Sequence, residues 1–207
     1  MTDFRNTTVN RTINVDGNFN ITLNYIIIQF RELDETLNAI YRLNAGNLFS
    51  RIESNITTQN SISFSYKIFD KYVDINNVTM PSNCPNHNEI YYAKYNTITV
   101  PKKAYIEATA YGTSNQSMIY DFVINSSIPI YMKDTTHSPY TIKPTVTPQG
   151  NNNYKVSFKI QNLPYTPGTT TSFTQNMVLY KNSSCTQAII STPITFEITN
   201  TSAPIGD

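Results

Sequence analysis

Two cysteines, two histidines and a set of tyrosines are the side chains of this 207-residue chain with the reactivity to do chemistry. Cys84 lies in Pro81-Ser82-Asn83-Cys84-Pro85-Asn86 and Cys185 in Asn182-Ser183-Ser184-Cys185-Thr186, both stretches of loop formers. An even pair in an exported protein favours a disulfide. A Cys84–Cys185 bridge would close a loop of about 100 residues and stabilise by roughly 4–5 kcal/mol in the chain-entropy account. The alternatives are two buried thiols, or a zinc ion shared by Cys84, His87 and Cys185. No second Cys-x-x-Cys or His-x-x-x-His spacing supports the metal, so neither metal nor cofactor is expected. His87 and His137 sit among loop residues without a nucleophile motif, and Gly-x-Ser-x-Gly, His-Glu-x-x-His and Cys-x-x-Cys are all absent. With few titratable groups and no Gly-rich phosphate loop, an enzyme is not expected. Asn14-Val15-Asp16-Gly17-Asn18 lacks the alternating carboxylates of a calcium loop and reads as a turn.

Recognition chemistry has more material. Tyr91, Tyr92, Tyr95, Tyr105 and Tyr111 could form an aromatic platform for sugars; the competing reading packs them into the sheet and its rim. Nine Asn-x-Ser/Thr sequons are present, at Asn6, Asn10, Asn20, Asn55, Asn77, Asn115, Asn125, Asn182 and Asn200. About six are expected from 26 Asn and 45 Ser or Thr alone, so the count is only compatible with a sugar-coated exterior.

The elements that hold these residues follow a period of two. Ile62-Ser63-Phe64-Ser65-Tyr66-Lys67-Ile68, Tyr154-Lys155-Val156-Ser157-Phe158-Lys159-Ile160 and Ile194-Thr195-Phe196-Glu197-Ile198 each put apolar groups on one face and polar groups on the other. That alternation marks strands with one buried and one wet side. Further strands are expected at Ala104 to Tyr111, Met118 to Ile124, Ile128 to Met132, Thr141 to Val146, Phe173 to Tyr180 and Ala188 to Ile190. Asn, Pro and Gly cluster between them. The expected fold is all-β, an antiparallel sandwich of immunoglobulin-like or jelly-roll type. One short helix is predicted over residues 32 to 44, from Leu33, Leu37, Ile40 and Leu43 near helical spacing, acids at the start and Gly46 just beyond.

At the N-terminus Val9, Ile13 and Val15 share a face, and Phe19, Ile21, Leu23, Tyr25 and Ile27 continue it after Asp16-Gly17. One reading is a hairpin through an Asp-Gly turn. The other makes Asp16 and Gly17 a hinge and the preceding segment a donor strand. Val9, Ile13 and Val15 would then complete a neighbour's sheet edge, with burial contributing on the order of 5–8 kcal/mol before ordering costs. The chain accordingly divides into an arm, residues 1–17, and a body, residues 18–207, with a further division of the body near residue 100.

Composition excludes several classes. Fifteen basic against fourteen acidic residues leave a formal charge of +1, so the basic surplus of a nucleic-acid binder is missing. Hydrophobic residues at 39% exclude a disordered chain. The longest apolar run, Tyr25-Ile26-Ile27-Ile28, is far too short for a membrane span. Residues 1 to 15 are polar and lack the apolar segment of a signal peptide, so Met1 is either an initiator or a processed mature end.

Low charge, abundant Asn, Thr, Ser, Ile and Tyr, sequon density, all-β patterning and a detachable first strand together resemble the secreted surface proteins of thermoacidophilic archaea. In particular, the chain is similar to subunits of their thread-type pili. The resemblance implies an extracellular, cell-surface homopolymer joined by donor-strand complementation, carrying N-linked glycans and serving adhesion or biofilm. Few carboxylates would also leave few groups whose protonation disturbs the fold in acid. The alternatives are a jelly-roll virion protein, capsid or turret, and a carbohydrate-binding adhesin module.

Overall fold

The computed structural model describes residues 9–15, 19–111, 114–162 and 166–201, with side chains for 25–108, 119–162 and 166–201. The strands are β1 (Val9–Val15), β2 (Phe19–Arg31), β3 (Leu37–Leu43), β4 (Ile56–Gln59), β5 (Ser63–Val73), β6 (Glu89–Pro101) and β7 (Lys103–Tyr111). The remainder are β8 (Ser114–Tyr120), β9 (Val123–Ser126), β10 (Thr135–His137), β11 (Tyr140–Gly150), β12 (Asn153–Gln161), β13 (Thr170–Tyr180) and β14 (Ala188–Thr201). The expected all-β class and its consistency with a sandwich hold. Pairing runs β1-β2-β6-β9-β12-β11-β10, with β3 on β2, β5 on β6 and β4 on β5, and separately β13-β14-β7-β8. The sheets are mixed rather than purely antiparallel, because β2 runs parallel to β6 and β14 parallel to β7.

Two compact units share the chain. Unit 1 holds the residues up to Asn55 together with Phe69–Tyr95, and unit 2 holds Ile56–Ile68 and the residues from Asn96 onward. The boundary crosses β5 after Ile68 and β6 after Tyr95, so both strands contribute to each unit.

In unit 2, alternation delivers apolar residues of both pairing networks into one core. Phe158 of β12 meets Phe196 of β14 edge-on at 5.0 Å, and Phe122 meets Phe158 at 5.2 Å. Ile98, Ile106, Ile142, Val156 and Ile198 close around them. The Tyr154–Ile160 alternation becomes β12, paired with β11 across a two-residue loop. Asn151 and Asn152 take φ of +49° and +61° there, the left-handed region that asparagine tolerates.

In unit 1, Phe30 of β2 is fully buried, with Tyr41 and Tyr72 edge-on at 4.9 Å each. The helix expected over residues 32 to 44 is absent. Glu32 to Thr36 form a turn instead, with Asp34 Oδ1 accepting from the Thr36 amide (3.0 Å) and Glu35 at φ +70°. Asp34 thus serves the turn, a local competitor of helix. Beyond it Leu37–Leu43 becomes β3, paired to β2, and its alternate residues Ala39, Tyr41 and Leu43 pack on the unit 1 core. Leu33, assigned to the apolar stripe, is 72% exposed.

Two other expectations change. Met118 to Ile124 is broken at Asp121 (φ +48°), where the chain leaves one pairing network for the other. Ile128 to Met132 contributes only the bridge of Tyr131 to Tyr180. Pro129 removes a ladder donor within that segment.

If Phe158 anchors the unit 2 core, Phe158→Ala should cost about 3–5 kcal/mol in urea unfolding. Thr174→Ala, at an exposed position on β13, should stay within about 0.5 kcal/mol.

Candidate functional site

The donor-strand residues lie in an intrachain hairpin. β1 pairs antiparallel with β2 in the register Val9 to Tyr25, Arg11 to Leu23, Ile13 to Ile21 and Val15 to Phe19. These eight positions share one face of the ribbon, and seven are apolar. The other face collects Asn10, Thr12, Asn14, Asn20, Thr22 and Asn24. The hinge residues Asp16 and Gly17 lie outside the described residues. β1 ends its pairing path with β2 as its one neighbour, which leaves its outer edge of peptide groups without a strand among the described residues. Along β2 the partner changes: β1 over Phe19–Tyr25, then β3 from Ile26 and parallel β6 from Ile28. Where this change occurs, Asn88 Oδ1 accepts from the Ile27 amide at 2.8 Å, so a side chain supplies the acceptor at the start of the β2–β6 ladder.

The expected Cys84–Cys185 bridge is not formed; both are free thiols. Cys84 is buried in the unit 1 core with Phe30, Phe49 and Tyr91, and burial raises its pKa. The chain holds it there by main-chain bonds, Gly46 N to Cys84 O and Cys84 N to Asn47 O, each 2.8 Å. Cys185 belongs to a surface turn of unit 2 at φ +50°, its Sγ 3.8 Å from Ser183 O. His87 bonds to Asn86 and Glu89, while His137 stacks on Phe173 at 4.5 Å. Among the described residues no group of three or more His, Cys, Asp or Glu side chains could hold a metal ion.

The sequons separate by environment. Asn55, Asn77 and Asn125 are exposed. Asn182 is half-buried and closes its own turn, Oδ1 accepting from the Thr186 and Gln187 amides and Nδ2 donating to Ser184 and Thr186 hydroxyls. Asn200 is 1% exposed, with Nδ2 on Thr169 Oγ1 and Oδ1 unpaired, so the folded chain leaves no space for a sugar there. Asn6 lies outside the described residues, and Asn10, Asn20 and Asn115 are placed by backbone register alone.

Of the tyrosines considered as a sugar platform, Tyr91 and Tyr92 are buried in unit 1 and Tyr95 donates to Glu32 (3.0 Å). The side chain of Tyr111 lies outside those described. Tyr105 alone is seen exposed, directly opposite Tyr120, which sequence reasoning passed over although it repeats the alternation of Met118-Ile119-Tyr120.

The unit 1 tyrosines instead build a polar girdle. Arg51 Nε meets Glu53 Oε1 at 2.5 Å, with its guanidinium 5.7 Å over the Phe30 ring. The Tyr72 hydroxyl donates to Glu53, and Asn38 Nδ2 donates to Glu32 at 2.8 Å. Burial works against the Arg51 charge, but its bonds to Glu53, Tyr72 and Tyr41 hold its pKa above the ordinary value. The girdle ties the irregular segment after β3 to β5 through Glu53 and Tyr72, and the turn before β3 to β6 through Glu32 and Tyr95.

Burial, reinforced by Glu53 and opposed by Asn38, pushes Tyr72 up to about 12; burial and the Glu89 charge do the same for Tyr91. Unfolded phenols ionise near 10. The fold therefore favours the neutral form, and its full stability holds below pH about 10 and falls as pH rises toward 12. A titration at 295 nm should show Tyr72, Tyr91 and Tyr95, whose pKa values burial raises, ionising late or only on unfolding, and Tyr72→Phe and Tyr91→Phe should each remove part of that late rise. Ellman's reagent should find Cys185 in the native chain and Cys84 only after unfolding; no titratable thiol in denaturant without reductant would restore the disulfide. Compared with protein families, curated proteins and solved structures, this chain has no match.

Proposed function

We propose that this chain is a structural subunit of an extracellular surface filament, joined copy to copy by exchange of β1, and that it serves adhesion or biofilm mechanically rather than by turnover of a substrate. The observation that carries the reading is the position of β1. It ends the pairing path, is held by one strand, and forms a ribbon whose one face is apolar at seven of eight positions. A two-stranded ribbon alone is marginal in water. A β1 handed to the next copy would keep the register it has at home, so exchange conserves its main-chain bonds and costs little beyond opening the loop. Passed in one direction, such exchange does not close and generates a filament.

Two further features support the reading. Unit 1 exposes large aliphatic side chains, Leu48 at 79% and Ile52 at 82% beside Leu33, which suit burial between subunits. The exposed Asn55, Asn77 and Asn125 are where N-linked glycans would be carried.

A covalent latch tests the exchange. Thr12 and Thr22 are register partners, so Thr12→Cys with Thr22→Cys, in a Cys185→Ser background, locks β1 onto its own β2 when oxidised. The oxidised chain should stay monomeric and form filaments on reduction, as read by electron microscopy and sedimentation. Filaments formed equally by the locked chain would refute strand exchange. A wild-type chain that stays monomeric from acid to neutral pH would refute the filament.

A further inference from the structure

We propose that unit 2 carries a binding cleft for a short neutral oligosaccharide, with the neighbouring rings of Tyr105 and Tyr120 as its stacking surface. This goes beyond the filament reading and does not depend on how copies join. The cleft has a volume of about 620 Å³, within the range of small-molecule sites. It opens where the chain twice changes pairing network: β6 ends at Pro101 and β7 begins at Lys103, while β8 ends at Tyr120 and β9 begins at Val123. Strands that turn such a corner give up sideways pairing there, and a gap remains.

The frame around the gap is fixed by hydrogen bonds. Asn60 Oδ1 accepts from the amides of Ile62 (2.9 Å) and Ser63 (2.7 Å), and the Lys102 amide donates to Ile62 O at 2.8 Å. The Thr195 amide in turn donates to Lys102 O at 2.8 Å. Asp121 is held at the second corner in the left-handed region, a conformation an aspartate adopts at some cost.

The chemistry inside selects a ligand class. Tyr105 and Tyr120 stand directly opposite one another on antiparallel β7 and β8, so their rings share a face, each about half exposed. Ala104 and Ile106, the alternate residues, point into the core. Of the charges lining the cleft, Lys103 Nζ meets Glu197 at 2.5 Å, while the Lys102 ammonium, 4.9 Å over the Phe64 ring, is balanced in charge by the exposed Asp121 carboxylate; the Tyr120 hydroxyl donates to Glu107. With one cation and one anion left, the lining carries no net charge to reward an ionic ligand. The lining also offers amides, Asn125 Nδ2 donating to Asn153 Oδ1 at 3.0 Å, and the hydroxyls of Ser61, Ser63 and Thr99. A pyranose ring has both complements, a C–H face for the tyrosines and hydroxyls for the amides. Asn125 also heads a sequon, so two sources supply this chemistry: a free oligosaccharide, or a glycan attached at Asn125.

The full chain, made in a host that does not glycosylate, is titrated with maltohexaose, cellohexaose, mannohexaose and chitohexaose by calorimetry. At least one should bind saturably. Tyr105→Ala and Tyr120→Ala, with folding checked by thermal melting, should weaken it about tenfold or more, the scale of a lost ring contact, while Tyr105→Phe stays near wild type. In a second arm, the chain from a glycosylating host is treated with tetranitromethane. If the saccharide is the attached one, Tyr105 and Tyr120 are protected from nitration in wild type and exposed in Asn125→Gln. Either positive arm supports the cleft and identifies its source. No binding and no protection, or binding indifferent to both alanine substitutions, overturns it.

Discussion

A strand at the edge of a sheet carries a row of peptide groups that its own sheet cannot satisfy. A chain built almost wholly of strands must place such rows somewhere. Here β1 is one of those places. Its inner side is spent on β2, and its outer side ends the pairing path. The register of the same ribbon divides its positions into an apolar set and an Asn/Thr set, so both its backbone and its sequence pattern call for a surface to lie against. The filament reading follows from that demand, since main-chain pairing is the one interaction a second copy can offer without any specialised side chain.

The two units meet their internal demands differently. Unit 2 is a core of aromatic and β-branched residues in which Phe158, Phe196 and Phe122 lie edge to face. Unit 1 has a smaller aromatic centre on Phe30, ringed by hydroxyls and carboxylates. Its tyrosines bury their rings and keep their hydroxyls paired to Glu32, Glu35 and Glu53. Burial of this kind carries the irregular segment around Gly46 and Cys84 without a disulfide. The corners at Lys102 and Asp121, where the chain changes sheets, leave a cleft in unit 2 with the size and lining of a ligand site.

Sequence pattern carried far along this chain where local and tertiary preferences agree. Alternation over Tyr154–Ile160 and Ile194–Ile198 specifies β12 and part of β14, because one face is buried and a slip of one residue would turn Phe158 or Phe196 to solvent. The Asn-rich loop before Tyr154 is legible for a local reason, the tolerance of asparagine for positive φ. By contrast Leu33, Leu37, Ile40 and Leu43 fit a helix as spacing alone, and only the presence of Phe30 beside β3 selects Ala39, Tyr41 and Leu43 as the inner set. β6 was illegible for the opposite reason: Tyr91, Tyr92 and Ala93 are consecutive and all buried, so no alternation marks them.

What the sequence determined by itself is therefore the β class, the turns and the two-faced first ribbon, all of which depend on neighbours within a few residues. Which strands pair was decided only in three dimensions, as was the separation of Cys84 from Cys185 into different units and the burial of Asn200. So too was the meeting of Tyr105 and Tyr120 with Ile62 and Asn125 around one cleft. Each of these joins residues far apart in the chain, and their contact is fixed by strand register and core packing rather than by any local preference.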